Sequence, residues 1–268
     1  MNLKALRFGH WLAFQSDEKF AMDTLTSAAA SGIRARIESL DMLANNIANA
    51  SSPGFKTDRE SFSLYLSQEA TDSPAGTTPT VQPVIERQWT DFTQGSMTPT
   101  GNQLDLALSG KGFFVASAPS GPVYTRDGSF QLSTQGQLQT MEGYPILGQD
   151  GKPIQVDSSK AVDIGPDGMV RQDGQDISQI SVVDFQDPAA LAKQGNNYFR
   201  IDVSTAQPVP GTGAQIQQRK LEGANSQPAE SAVRLVSVMR QFESLQKALA
   251  IGNEMNREVV TDVAKVTS

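Results

Sequence analysis

The side chains with the most evident chemical potential in this sequence are carboxylates. Asp105, Asp127, Asp150, Asp163, Asp167 and Asp173 all fall in one central stretch. Two such groups in a cleft, with their pKa values pushed apart, are what general acid–base cleavage of a glycoside requires. Their positions argue against that use. Most sit at glycine turns (Asp127-Gly128, Asp150-Gly151, Asp167-Gly168, Asp173-Gly174), where aspartate is favoured because it bonds its own backbone two residues on. Asp163–Gly168 lacks the ligand spacing of a calcium loop. Lys111 in "SGKGFF" invites a phosphate-loop reading, but the earlier glycine and the following Ser or Thr are missing. His10 is the one histidine and there is no cysteine, so histidine-based triads, histidine zinc sites and thiolate chemistry are excluded. The expectation is a chain that is not an enzyme and holds no cofactor or metal.

A net charge of −7 argues against nucleic acid, whose phosphates need a basic surface, and equally against a polybasic membrane anchor. No stretch approaches the ~20 apolar residues of a membrane span. The opening "MNLKALRFGHWLAF" breaks its apolar run at Gly9-His10, and polar "QSDEKF" follows. It does not read as a cleaved secretory leader.

With chemistry set aside, the informative pattern is at the two ends. In "ASGIRARIESLDMLANNIANASSPGFK" (Ala30–Lys56), Ala30, Ile33, Ile37, Leu40, Ala44 and Ile47 recur at steps of 3, 4, 3, 4 and 3. That is the seam of a helix lying along another helix. Asn49 accepts a left-handed conformation, and Pro53 has no N–H with which to continue a helix. Pro53-Gly54 suits the central positions of a type II turn, with Phe55 as an apolar peg behind it. Near the C-terminus, Leu235, Val238, Phe242, Leu245, Leu249, Gly252, Asn256, Val259, Val263 and Val266 alternate the same two steps. Pro228 suits the first turn of this helix, with Ser226 or Gln227 capping it. The seams fit either an intramolecular hairpin or packing among neighbouring subunits. Small residues on other faces (Ala28, Ala29, Ser31, Gly32; Ala248, Ala250, Gly252) favour more than one partner.

Four segments carry a family resemblance: "LANNIANASSPGFK" after a helix starting near "MDTLTSAA" (Met22), "LDLALSGKGFF" (Leu104–Phe114), "YTRDGSF" (Tyr124–Phe130) and "LEGANSQPAES" (Leu221–Ser231). In this order they resemble the bacterial flagellar rod and hook proteins, above all the proximal-rod members. The resemblance runs from Met22 nearly to the C-terminus and leaves residues 1–21 as an N-terminal extension. It implies a structural subunit of the periplasmic rod, delivered by the flagellar export apparatus without a cleaved signal peptide. Its partners would be copies of itself and other rod proteins. It also implies that Asn45, Asn46, Asn49, Pro53, Gly54 and Phe55 lie where subunits interlock. Together with the seam residues Ile33, Ile37, Leu40, Ala44, Ile47, Leu235, Val238, Phe242, Leu245, Leu249, Val259 and Val263, they form the expected assembly interface. The rival readings are a distal-rod or hook-like subunit and, from a different class, a β-rich adhesin or binding module with a helical stalk.

The fold class expected is α+β. A discontinuous, coiled-coil-like helical domain (22–66 with 226–268) would bracket a central antiparallel β domain (84–203), in which short apolar runs alternate with glycine turns. Residues 67–83 and 204–225, rich in Pro, Gly, Ser, Thr and Gln, read as linkers. Thr57–Leu66 fits a strand or a short helix, and Pro188–Lys193 a single helical turn. In this layout the terminal helices form a tubular inner layer and the β domain a stiffening outer shell.

Overall fold

The structure, a computed structural model, describes residues 29–66, 81–202 and 206–266. Residues 1–21, the helix start at Met22 and residues 67–80 of the first expected linker lie outside them. Two helices are described, α1 over 29–48 and α2 over Pro228–Val266, and the remainder is antiparallel strand and turn. The chain is therefore α+β. It divides into two compact units, the first taking residues 29–45, 59–66, 81–88 and 229–266, the second Asn46–Asp58 and Trp89–Pro228.

The first unit brings α1 and α2 together with the paired strands Asp58–Leu66 and Val81–Thr90. Val81–Pro83, read from composition as linker, is strand. The helices meet at Met42, Leu43 and Val238, with Leu40 and Leu235 packed around them. Glu60 pins the strand to both helices: Ser39 Oγ lies 3.0 Å from Glu60 Oε2, and Arg234 Nη2 lies 4.0 Å from Glu60 Oε1. Ser39 Oγ is also 3.0 Å from the Ala35 carbonyl oxygen, so its one proton serves one acceptor at a time.

The second unit is built on a six-stranded antiparallel sheet. Its order is Leu191–Gly195, Tyr198–Ile201, Gly121–Thr125, Phe113–Ala118, Val182–Asp184, Val209–Pro210. Successive side chains of a strand point to opposite faces, and both faces here are covered. Phe114, Ala116, Val123 and Tyr198 enter the larger core with Leu106, Leu108 and Ile146. Phe113, Val115, Tyr124 and Phe199 enter a second, aromatic one with Phe185 and Phe92. That is why "FFVA" is a continuous apolar run where a one-sided strand would alternate. In the aromatic core Phe92, Phe185 and Phe199 surround Phe113 at centroid distances of 5.6, 5.9 and 5.7 Å, all edge-on, the arrangement that ring quadrupoles favour.

Residues 204–225 differ from expectation. Val209–Pro210, Gln215–Gln218 and Lys220–Glu222 are strands; the second pairs with Leu106–Ser109 and the third with Met97–Pro99. Gly211 and Gly213 lie between the first two strands and Arg219, at φ +63, between the last two, and Ile216 is buried in the core. The segment thus closes the β unit. Asn46–Asp58, assigned from periodicity to the helical domain, also belongs to this unit. Pro188–Ala190 forms the single helical turn, capped by Asp187.

Gly128 allows one motif to lie against another. The Leu106 amide donates to the Gly128 carbonyl at 3.0 Å, and a Cβ on Gly128 would stand 1.7 Å from the Leu106 carbonyl oxygen. Gly128→Ala is expected to cost about 3 kcal/mol or more, as backbone must move. Gly213→Ala, whose added carbon meets nothing within 4 Å, should stay within about 0.5 kcal/mol of wild type. Urea denaturation of the two variants measures the contrast.

Candidate assembly interface

The interface predicted from sequence has two parts, the helix faces and the turn that follows α1. On α2, Leu235, Phe242, Leu245 and Leu249 are half-buried and Val238 and Gly252 are buried, while the residues between them are exposed. From Leu235 to Gly252 the burial follows the expected spacing, and Leu235 and Val238 meet α1. The side chains of Asn256, Val259, Val263 and Val266 lie outside those described.

On α1 the expected seam is displaced. Ile37 is 45% exposed, Ala30 and Ala44 are exposed, and Ile33, Leu40 and Ile47 are half-buried. The buried stripe is Ala29, Gly32, Ala35, Ser39, Met42, Leu43 and Asn46. Met42 and Leu43 of this stripe meet α2, and Ser39 meets the Glu60 carboxylate. The isoleucine face is left outward. Of the expected seam, Leu40 contributes to the α1–α2 contact.

The turn closes as predicted. The Phe55 amide donates to the Ser52 carbonyl at 3.3 Å, and Gly54 takes φ +67. A Cβ there would lie 2.2 Å from the Asp127 nitrogen. Phe55 is buried, and Lys193 Nζ stands 4.6 Å from the centre of its ring. The asparagines act within the chain. Asn46 Nδ2 donates to the Asp58 carbonyl at 2.9 Å, and the Asp58 amide returns a bond to Asn46 Oδ1 at 3.0 Å. Asn49 Oδ1 accepts from Ser52 Oγ at 3.3 Å. Asn49 is not among the non-glycine residues with positive φ, so the left-handed stop expected there is absent; the chain leaves α1 through backbone turns, the Ala50 amide donating to the Ile47 carbonyl at 3.2 Å and the Ser52 amide to the Asn49 carbonyl at 3.0 Å. Asn45 is exposed. At the other helix, Ser226 Oγ is buried without a hydrogen-bond partner and does not cap α2.

Periodicity missed the polar cluster beneath this turn. The side chains of Lys56 and Glu222 are fully buried and Arg126 nearly so. Lys56 Nζ donates to Glu222 Oε1 at 2.6 Å and to the Thr93 carbonyl at 2.8 Å. Arg126 Nη1 donates to Glu222 Oε2 at 3.1 Å and Nη2 to the Gly110 carbonyl at 2.7 Å. The Gly95 amide is the third donor to the carboxylate, reaching Glu222 Oε1 at 2.9 Å. The Gly54 amide donates to the Glu222 backbone carbonyl at 2.7 Å. Three residues on, Asn225 Oδ1 accepts from the Thr57 amide at 2.8 Å, and its Nδ2 donates to the Asp91 carbonyl at 2.6 Å. Burial pulls the Lys56 ammonium below the usual lysine range, opposed by the Glu222 charge. Lys193, bonded to the Lys56 carbonyl and to Asp58, is lowered by burial in the same way. One signal pointed here: three of the four quoted motifs supply these side chains, and the fourth, "LDLALSGKGFF", supplies the carbonyl under Arg126.

Three family descriptions match separate parts of the sequence. "Flagella basal body rod protein" covers residues 22–56, "Flagellar hook protein FlgE/F/G D1 domain" 107–172, and "Flagellar basal body rod FlgEFG protein C-terminal" 217–261. Lys56, Arg126 and Glu222 fall one in each. The flagellar basal-body rod protein FlgF of Caulobacter vibrioides is 38% identical over 232 residues, 85% of this chain and 92% of that protein. FlgF of Mesorhizobium japonicum is 31% identical over 207 residues, 76% and 83% of the two chains. FlgG of Buchnera aphidicola subsp. Schizaphis graminum is 32% identical over 249 residues, 84% and 94%.

Removing the shared anion should do more harm than removing one cation. Glu222→Gln leaves Lys56 and Arg126 buried against a neutral amide and is expected to cost about 3–5 kcal/mol. Lys56→Met leaves Glu222 with Arg126 and the Gly95 amide and should cost clearly less, in urea denaturation at pH 7. The unfolded chain keeps the Lys56 proton up to its ordinary pKa of 10.5, whereas the folded chain releases it earlier. Between those values the unfolded state binds more protons, so stability rises with pH. The wild type should therefore gain on Lys56→Met as pH is raised through that window, and denaturation series approaching pH 10.5 would show it.

Proposed function

The chain belongs to the flagellar basal-body rod protein family, and we propose that it is a non-enzymatic structural subunit of that rod, of the FlgF kind, assembling through the outward faces of its terminal helices. Identity to the Caulobacter and Mesorhizobium FlgF proteins along most of their length supports the choice of kind. Family membership likewise supports a place in the basal body beside other rod components, reached through the flagellum's own export apparatus without a cleaved leader.

One observation carries the mode of assembly: apolar area on the helices that the subunit does not use. Ile37 on α1 and Val233, Val236, Met239, Ile251 and Met255 on α2 are 45 to 73% exposed. Large apolar side chains exposed repeatedly along a helix mark a surface that another molecule covers. Each aliphatic side chain buried on docking contributes about 1.5–3 kcal/mol, so several weak contacts repeated around a helical lattice hold it against torque. The α2 seam residues Leu235 and Val238 face inward onto α1, so in this reading the inner layer is built from the opposite, outward face. Asn45 and the seam residues Ile33, Ala44 and Ile47 belong to the same proposed surface.

The test is to charge the outward face and leave the inward one intact. Ile37→Asp and Val236→Asp should each leave the denaturation midpoint nearly unchanged, within about 0.5 kcal/mol, since neither position is buried in the subunit. Both should remove the protein from purified basal bodies and stop swimming. Normal motility with either variant in place would overturn the proposed mode of assembly.

A further inference from the structure

The last piece of the β unit lies across its earlier pieces. Residues 209–225 run from Val209–Pro210 on the edge of the six-stranded sheet, through Gln215–Gln218 beside Leu106–Ser109, to Lys220–Glu222 beside Met97–Pro99. These strands have two to four residues each, and strands so short ordinarily fray from a sheet before the rest of it opens. Here they are tied to several parts of the unit. The Ile216 amide donates to the Pro166 carbonyl at 3.0 Å and the Arg219 amide to the Asp105 carbonyl at 2.7 Å. Gln218 Nε2 donates to the Gln103 and Val162 carbonyls at 2.7 and 2.9 Å, and Gln218 Oε1 accepts from the Ile164 amide at 3.3 Å. The Gly223 amide donates to the Ser96 carbonyl at 2.7 Å. Ile216 sits in the larger core, and Glu222 is the anion shared by Lys56 and Arg126.

We infer that residues 209–225 are a closing strap, without which the β unit has no folded state. With the strap away, Lys56 and Arg126 must either stay buried without their anion or be carried into water. The first leaves uncompensated charge in the interior. The second pulls out the Pro53-Gly54 turn, whose Gly54 amide also loses the Glu222 carbonyl that it bonds at 2.7 Å. In both cases the place of Ile216 in the larger core is emptied, and a cavity there weakens the packing around it. The strap and the rest of the unit therefore form and open together. A chain is made from its N-terminus, so the strap is the last part of the β unit to arrive, with α2 after it. Until then the chain holds two cations and no anion to bury them with, and the β unit waits. In a subunit delivered through the flagellum's own export apparatus, the β unit would stay unfolded until the strap had passed. That consequence rests on the rod reading above; the strap itself does not.

Hydrogen exchange on the full-length protein reads the strap directly. The Leu138, Ile146 and Ile154 amides bond carbonyls inside the core, to Ile154, Leu138 and Ile146 in turn. Protection of the Ile216 and Arg219 amides should lie within about threefold of theirs, because both sets exchange only when the whole unit opens. Strap amides protected about tenfold less than the core, or worse, would show a strap that peels alone and would overturn the inference. Trypsin gives a second reading, since cleavage follows the population of the open form. Glu222→Lys and Ile216→Asp, each in the full-length chain, should raise cleavage after buried Arg126 at least about tenfold over wild type. Cleavage confined to residues 206–225, with 89–202 left intact, would count decisively against the strap. If the strap peels alone while the wild-type chain is found in purified basal bodies, the strap fails and the rod reading stands. If strap and core exchange together while that chain is absent from basal bodies, the strap stands and the rod reading fails.

Discussion

The β unit depends on one buried carboxylate. Glu222 is without solvent contact and accepts from Lys56, Arg126 and the Gly95 amide. Burying such charges costs several kcal/mol each, and a well-packed apolar substitute would often be as stable. What the cluster supplies is position. It joins residues 56, 126 and 222 at one point, and no other carboxylate among the described residues receives the same three donors. A slip of the Lys220–Glu222 strand by one residue would turn Glu222 to the opposite face and strand two cations in the interior. The cluster therefore fixes the register of the closing strand and the seat of the Pro53-Gly54 turn together.

This accounts for the placement of Asn46–Asp58. Its apolar content is small, with Phe55 as its one large buried apolar side chain, and polar contacts do most of the anchoring: the Asn46 clasp on Asp58, Asn197 donating to the Pro53 carbonyl, and Lys193 on the Lys56 carbonyl. The segment leaves helix α1 and is at once held by groups from three other parts of the chain. A turn fixed this way has one conformation, where an apolar contact alone would permit several.

Much of this was legible in the sequence, and the misses share a cause. Glycine turns marked the β unit because they are local: Asp150-Gly151 and Asp173-Gly174 bend the chain whatever surrounds them. The α2 seam from Leu235 to Gly252 was legible because its apolar residues are large and regularly spaced. On α1 the same rule chose the isoleucines, whereas the buried stripe runs through Ala29, Gly32, Ala35 and Ser39, since periodicity weighs apolar size and passes over small and polar residues. Residues 204–225 were misread because their strands are two to four residues long and exist only through partners far away in sequence. Lys56 and Glu222 could not be found by type, because lysine and glutamate are almost always on the surface. Only the convergence of the quoted motifs pointed to them.

The lengths of the two helices bear on why such a chain assembles. Helix α2 has 39 residues, about 58 Å at 1.5 Å per residue, while the described part of α1, residues 29–48, reaches about 30 Å. Even in full register the described part of α1 covers about half of α2. The uncovered part still carries the seam repeat and adds Ile251 and Met255 on another face. A helix gains its stability mainly from packing an apolar face, so the exposed Ile251 and Met255 are area that the described part of the chain does not use. Neighbouring subunits can complete what α1 leaves undone, and the order of the helix ends then depends on the lattice into which they pack.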